Sequence, residues 1–371
     1  MEPAGEHCLS RLFEVLDLSH VFSSSPALGV DAQAAVTHTR PAGHATPTYA
    51  ALDLGTNNCR LLVARPTADG FRVVDAFSRI VRLGEGLSLT GRLSEAAIER
   101  TLAALRVCRD KMAARGVTRA RTIATEACRA AINGPAFVDQ VREQLGVELE
   151  IVDRETEAHL AAAGVGDLAD HEAKSIVMFD IGGGSSEIIW LGGDEKAPKR
   201  RVLAWESMRL GVVSLAETFG GIDVTDATFA AMIAYVNAAL RPFVDRVAGQ
   251  TRCDRFHLLG TSGTVTTIAG VHLDLPRYDR RAVDGLWLDR EDVDAAVARL
   301  RAMSYAERAA NACIGQERAD LVLAGCAILQ AIRAQFPAER LRIADRGLRE
   351  GILSQLMRED RVGPHRRGPA R

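Results

Sequence analysis

Two stretches decide the fold: YAALDLGTNNCRLLV at residues 49–63 and IVMFDIGGGSSEIIW at residues 176–190. Each is an apolar run, an Asp, an aliphatic residue and a Gly, then small polar residues or glycines, then a second apolar run. With Asp53 set on Asp180, Leu54 meets Ile181, Gly55 meets Gly182, Arg60 meets Glu187, and Leu61-Leu62 meet Ile188-Ile189. The apolar runs have strand length and are bounded by turn residues, so each stretch reads as strand–turn–strand. A repeat of this kind, 127 residues apart, points to two similar domains.

The turns suggest a chemistry. Gly55, Thr56, Asn57 and Asn58 in the first, and Gly182, Gly183, Gly184, Ser185 and Ser186 in the second, tolerate unusual backbone angles and let main chain approach a ligand closely. Successive exposed N–H groups there form a nest for an anion, and the hydroxyls of Thr56, Ser185 and Ser186 add donors. Asp53 and Asp180 end their strands at the mouths of the turns, placed to hold a cation or a water. Either hairpin alone is an ordinary tight turn; the matched pair points to phosphate. A P-loop and a dinucleotide-binding G-x-G-x-x-G after a strand are both absent from the sequence.

Composition narrows the class. The 371 residues are 47% hydrophobic and 25% charged, with a formal net charge of −2. That is ordinary globular composition, and it gives no support to a general nucleic-acid binder. Seven scattered cysteines without a C-x-x-C pair read as reduced thiols in a cytoplasmic protein rather than a zinc site or disulfide framework. No membrane span and no secretion signal are expected. Residues 1–47 lack a sustained period, and set Arg11 and Arg40 against Glu2, Glu6, Glu14, Asp17 and Asp31, a net of −3. They read as a disordered extension, and the whole-chain −2 leaves the remainder at +1.

Other segments place the remaining candidates. Residues 94–115 read as a helix with Ser94 as N-cap and Ile98, Leu102, Leu105 and Met112 as its core stripe, stopped by Gly116. A strand near 121–124 leads to Arg129, and one near 149–152 leads to a helix bearing Glu155 and Glu157. A strand at 256–259 breaks at 260–264 before a helix, a start suited to an anion at Gly263 and Thr264, although Thr264 also serves as a plain N-cap. Further helices are expected at about 225–247, 290–302, 317–334 and 347–357. Arg79, Arg82, Arg277, Arg280 and Arg281 are candidates for the wall of an anion channel.

The wording of eight segments resembles the exopolyphosphatase / guanosine pentaphosphate phosphohydrolase (Ppx/GppA) family. They are ALDLGTNNCRLLV (51–63), RLGEGL (82–87), ATEACRAA (124–131), IVDRETEAHL (151–160), FDIGGGSSEI (179–188), SMRLGVVSL (207–215), LLGTSGTVTTIAG (258–270) and RGLREGIL (346–353). The resemblance implies an α/β fold of two duplicated ribonuclease H-like (actin-like ATPase) domains with a cleft between them. It suggests 48–160 as the first domain, 161–357 as the second, and 358–371 as a basic tail, with the last helix crossing back to the first domain. The chain looks like the family's short, two-domain form.

The resemblance also implies release of terminal phosphate from inorganic polyphosphate, or of the 5′ γ-phosphate of pppGpp, with Mg2+. It casts Glu157 as general base and Arg129 as a phosphate-binding arginine. Asp180 and Glu187, with Asp53, become metal-linked acids. His159 stands where relatives often have Arg, and Glu126 reads as structural. Polyphosphate or guanosine penta/tetraphosphate are then the partners, without membrane or nucleic acid, and a homodimer is left open. Two rivals remain: a non-hydrolytic ppGpp sensor, and a small-molecule kinase of the same superfamily that would turn over ATP only with an acceptor.

Overall fold

The computed structural model describes residues 46–68, 70–192, 201–248 and 256–362. Residues 1–45 of the expected extension, and the tail beyond 362, lie outside them.

The first half contains β1 (Tyr49–Leu54), β2 (Asn58–Thr67), β3 (Gly70–Ile80), α1 (Leu87–Thr90), α2 (Glu95–Ala114), β4 (Arg119–Ala124), α3 (Glu126–Ala130), α4 (Gly134–Leu145), β5 (Glu150–Ile151) and α5 (Arg154–Val165). Its sheet has the order β3-β2-β1-β4-β5. The first three strands form an antiparallel meander, and β4 and β5 add in parallel.

The second half contains β6 (Ser175–Ile181), β7 (Ser186–Gly192), β8 (Arg201–Met208), α6 (Val212–Phe219), α7 (Asp226–Val247), β9 (Phe256–Thr261), α8 (Gly263–His272), α9 (Arg280–Val283), β10 (Trp287–Asp289), α10 (Arg290–Ala302), α11 (Tyr305–Ala310), α12 (Val322–Gln335), β11 (Arg340–Ala344) and α13 (Leu348–Val362). Its sheet runs β10-β11-β9-β6-β7-β8. Again a meander, β6-β7-β8, is followed by parallel β9 and β11. The edge strand β10 is the addition. The duplicated hairpin is therefore the start of a duplicated sheet.

The strands at the centre of each sheet are covered on both faces, so they read as apolar runs instead of alternating ones. In β6, Ile176 and Met178 enter one core cluster while Val177 and Phe179 enter another. The helices bury one stripe each. Ser94 caps α2 by accepting from the Ala97 N–H, Ile98, Leu102 and Leu105 are buried, and Gly116 beyond the end takes φ 59°. Helix α12 starts at Val322 rather than near 317, because residues 317–321 form turns.

The last helix belongs to the first sheet by packing. Ile352, Leu353, Leu356 and Met357 of α13 lie against Tyr49, Ala51, Leu62, Ile123 and Leu160. Burying such side chains is worth roughly 1.5–3 kcal/mol each. The helix runs to Val362, past the expected end at 357. Its last turn is held because Tyr49 donates to Asp360 at 2.5 Å and Arg119 pairs with Glu359 and Asp360.

Among the described residues α7 alone is long and apolar enough to cross a membrane, with mean hydropathy 1.3. Its Phe229, Met232, Val236, Leu240, Phe243 and Val247 are instead buried in the protein core, at helical spacing. The described cysteines, Cys59, Cys108, Cys128, Cys313 and Cys326, are free and buried.

Candidate active site

The two glycine turns are built alike. The Gly55 N–H donates to the Asn58 carbonyl at 2.9 Å, and the Gly182 N–H to the Ser185 carbonyl at 3.0 Å. Across the hairpins Asp53 pairs with Arg60, and Asp180 with Glu187. The chain that follows ties the turn carbonyls back. Gly84 donates to Thr56, and Val81 and Arg82 both donate to Asn57. In the second turn Val212 donates to Gly182 and Val213 to Gly183.

The turns meet face to face. A Cβ on Gly183 would sit 3.1 Å from the Asn57 N and the Thr56 Cβ, and one on Gly184 would sit 2.6 Å from the Thr56 Oγ1. Thr56 Oγ1, Asn57 Oδ1, Asn58 Oδ1 and Ser186 Oγ are buried without a hydrogen-bond partner. Buried polar atoms are normally paired, so orphans concentrated in two facing turns mark a place prepared for a polar ligand or water.

Between the turns lies a cavity of about 510 Å³. Gly55, Thr56, Asn57, Asn58, Gly182, Gly183, Gly184, Ser185 and Gly263 line it, as do Asp53, Glu157, Asp180 and Glu187. Of the expected site residues, Ser186, Thr264 and Arg129 are not on its wall. Thr264 lines a smaller adjoining cavity of about 60 Å³. Ser262, at the start of α8, takes φ 81°, uncommon for a residue with a side chain; such strain collects at functional sites.

The four acids are poorly compensated. Burial raises the Asp53 carboxyl, against the opposing pull of Arg60 and Arg349. Burial pushes Asp180 up to about 6; Arg60 opposes this and Asp53 adds to it. Burial and then repulsion from Asp180 push Glu187 up to about 7, although the Ser207 hydroxyl donates to it at 2.8 Å. Glu157 is raised well above the usual carboxylate range by burial and by Glu187, with Arg129 opposing. Buried anions this close favour a bound proton or cation.

These are hard oxygen donors of the kind Mg2+ takes. Among the described residues no three His, Cys, Asp or Glu side chains gather closely enough to form a protein-only metal cage. Asp53, Asp180 and Glu187 thus fit a cation that keeps several waters and substrate oxygens, and do not fit a closed site.

The cationic residues differ from expectation. Arg129 donates to Glu126 through Nε at 3.1 Å and Nη2 at 2.8 Å, to the Val152 carbonyl at 2.6 Å and to Glu157 at 3.0 Å. Its guanidinium is committed to Glu126, Glu157 and the Val152 carbonyl, and it is not on the cavity wall. Arg82 is spent on Asp320, and Arg280 on Glu350 and the Asp345 carbonyl. Arg79 sits over the Phe77 ring, and Arg277 and Arg281 are exposed. The arginines on the cavity wall without an ion pair to a described residue are Arg60, Arg318 and Arg349. Burial depresses both Arg318 and Arg349, and the Arg60 charge depresses them further. Arg60 was visible in the sequence as the partner of Asp53 across the hairpin, since opposite residues share a face. Arg349 lies within the RGLREGIL segment, while Arg318 had no signal.

Two sheets that share a meander-then-parallel order over five strands, each presenting a glycine turn to one polar cavity, define an α/β protein of the actin-like ATPase fold with a polar cleft between its glycine turns. The chain belongs to the Ppx/GppA phosphatase family, whose model matches residues 62–360. It is 31% identical over 317 residues to the guanosine-5′-triphosphate,3′-diphosphate pyrophosphatase of Aeromonas salmonicida, covering 85% of this chain and 60% of that one. It is 30% identical over 325 residues to exopolyphosphatase 2 of Mycobacterium tuberculosis, covering 83% and 98%. The crystal structure of the Aquifex aeolicus family member superposes with a TM-score of 0.70 at 26% identity, covering 86% of this chain and all of that one. The chain thus spans about 60% of the length of the Aeromonas relative.

Proposed function

We propose that the protein is a phosphohydrolase that releases terminal phosphate from inorganic polyphosphate or the 5′ γ-phosphate of pppGpp. The observation that carries this reading is the position of Glu157, a carboxylate only 12% exposed, on the wall of a cavity faced by two glycine turns. The names of the Aeromonas and Mycobacterium relatives support the substrate class.

The terminal phosphoryl group enters the cavity between the turns. Their backbone N–H groups, the Thr56 and Ser185 hydroxyls, and Arg60, Arg318 and Arg349 hold its oxygens. Glu157 accepts a proton from a water while that oxygen bonds to phosphorus, and the bridging oxygen leaves with the shortened chain. Phosphoryl transfer is governed by positioning and charge stabilisation, so this set suffices in kind. Asp53, Asp180 and Glu187 would hold Mg2+, which supplies neutralisation of phosphoryl charge when bound.

The test is a side-by-side assay of phosphate release from polyphosphate and from pppGpp, with Mg2+ and with chelator. Release from at least one substrate is expected, and release from neither rejects the reading.

A further inference from the structure

Two four-residue patterns mirror each other beside the base. Glu126-x-x-Arg129 lies on α3 and Arg154-x-x-Glu157 on α5, so each helix contributes one acid and one base at i,i+3 spacing. The four side chains meet. Glu126 is 5% exposed, and its carboxylate accepts from Arg129 through Nε and Nη2, and from the Arg154 Nη2 at 2.9 and 2.8 Å. Arg129 then has one Nη2 hydrogen left for Glu157, and its Nη1 goes to the Val152 carbonyl. Four of its five N–H groups are thereby committed.

We propose that Glu126 and Arg154 form a clamp that fixes Arg129 against Glu157, so that all three are positioning residues for the base and Arg129 is not a substrate contact. Two signs of charge in equal number make the group self-neutralising, which lets it stay buried without drawing in the anionic substrate. The bidentate guanidinium gives the direction: a fork fixed at Glu126 and Val152 leaves one orientation for the remaining N–H. The clamp also senses the second turn, because a Cβ on Gly184 would lie 3.3 Å from the Glu126 Cγ. Helix α5 supplies the other support, with Asp153 capping it by accepting from the Thr156 N–H at 2.7 Å. A clamp of this type moves the base when it is cut and leaves phosphate affinity alone.

The inference rests on the phosphohydrolase reading for the task of Glu157, but the placement of Arg129 can be judged without turnover. Crystal structures of the wild type and E126Q are compared first. Arg129 is expected to leave Glu157 or Val152 in E126Q, and an Arg129 that keeps all its other contacts overturns the clamp. Calorimetry with tripolyphosphate in chelator follows. R129M is expected to bind within about twofold of wild type, and a loss of about tenfold or more makes Arg129 a phosphate contact and overturns the proposal. A wild type that binds no tripolyphosphate counts against the proposed function, and the crystal comparison still decides the clamp. In steady state, E126Q and R129K are expected to lose up to about 100-fold in kcat with KM within about threefold. Unchanged kcat in both overturns the proposal. Where E126Q does not fold, R154M removes only the outer support and is expected to give a smaller loss in kcat, with the same two overturning results.

Discussion

Arg82 and Asp320, 238 residues apart, are joined by a two-pronged ion pair, Nη1 at 3.0 Å and Nη2 at 2.9 Å, that ties the loop after β3 to the turn before α12. The same Nη2 donates to the Glu317 carbonyl at 3.0 Å. Glu317 and Arg318 line the cavity, so the pair sets its rim. Arg82 takes φ 47°, in the left-handed region, to make this reach. A second fastener lies beside it: Glu217 accepts from the Gly86 N–H at 2.8 Å and from the Ser88 hydroxyl. Residues 82–88 are a clasp between the two halves, and Arg82, a candidate for the channel wall, is its ion-pairing member.

Cutting that clasp should separate stability from function. The two side chains are 32% and 24% exposed, and a partly solvated pair contributes about 1 kcal/mol or less. R82A should therefore unfold in urea with nearly the wild-type midpoint. Its kcat/KM for phosphate release should fall by about tenfold, because the rim residues Glu317 and Arg318 lose their anchor. An R82A protein with wild-type kcat/KM would show that the clasp is ornamental to the site.

Glu157→Gln tests the base directly. The amide keeps the shape and the Arg129 contact but cannot take a proton from water. Phosphate release should fall by about 10²–10⁴-fold, with tripolyphosphate binding retained. Retained binding with full activity would remove Glu157 from the mechanism.

The buried acids make the cation-free protein sensitive to pH. Asp180 is raised from 3.8 to about 6 and Glu187 from 4.5 to about 7 in the folded state. The folded state thus holds protons that the unfolded chain gives up. Stability is full below the unfolded values and is lost as pH rises from about 4 through about 7. Each shift corresponds to about 3 kcal/mol at one unit per 1.36 kcal/mol. In chelator, E187Q should be more stable than wild type at pH 8, and the gap should close near pH 4. Equal urea midpoints at pH 8 would mean that the Glu187 charge is compensated in a way the folded structure does not display.

Much of this was legible because the hairpin repeat is a local signal. Asp53 and Asp180, the turn glycines and the apolar strand runs lie within fifteen-residue windows, and the two-residue period of a strand fixes which side chains share a face. Arg60 follows from the same logic once the hairpin register is drawn. The surroundings of the arginines were less legible, since an arginine's partner is set by tertiary approach. Arg129, Arg82 and Arg280 each found a carboxylate from another segment. Arg318 comes to the cavity from a turn with no strand or helix period to place it. The Glu126–Arg154 contact spans 28 residues and two helices, and the i,i+3 spacings that foreshadow it look like any exposed helical pair.

The closeness of the two turns gives a last test, in which one methyl group does the probing. At Gly184 an added Cβ would lie 2.6 Å from Thr56 Oγ1, 3.2 Å from Thr56 Cγ2 and 3.3 Å from Glu126 Cγ. Thr56 cannot retreat freely, because its carbonyl is held by Gly84 and a Cβ on Gly84 would itself meet Thr56 Cγ2 at 2.2 Å. The strain must therefore open the gap between the turns or push Glu126 off Arg129. Gly166 supplies the control: it also lies outside the strands, and a Cβ there meets nothing within 4 Å. G184A should lose about 100-fold in kcat/KM while unfolding within about 1–3 kcal/mol of wild type, the usual cost of overpacking. G166A should match wild type in both. If G184A keeps full kcat/KM, the turns do not need their close approach for phosphate, and the facing-loop site is the wrong reading of this cavity.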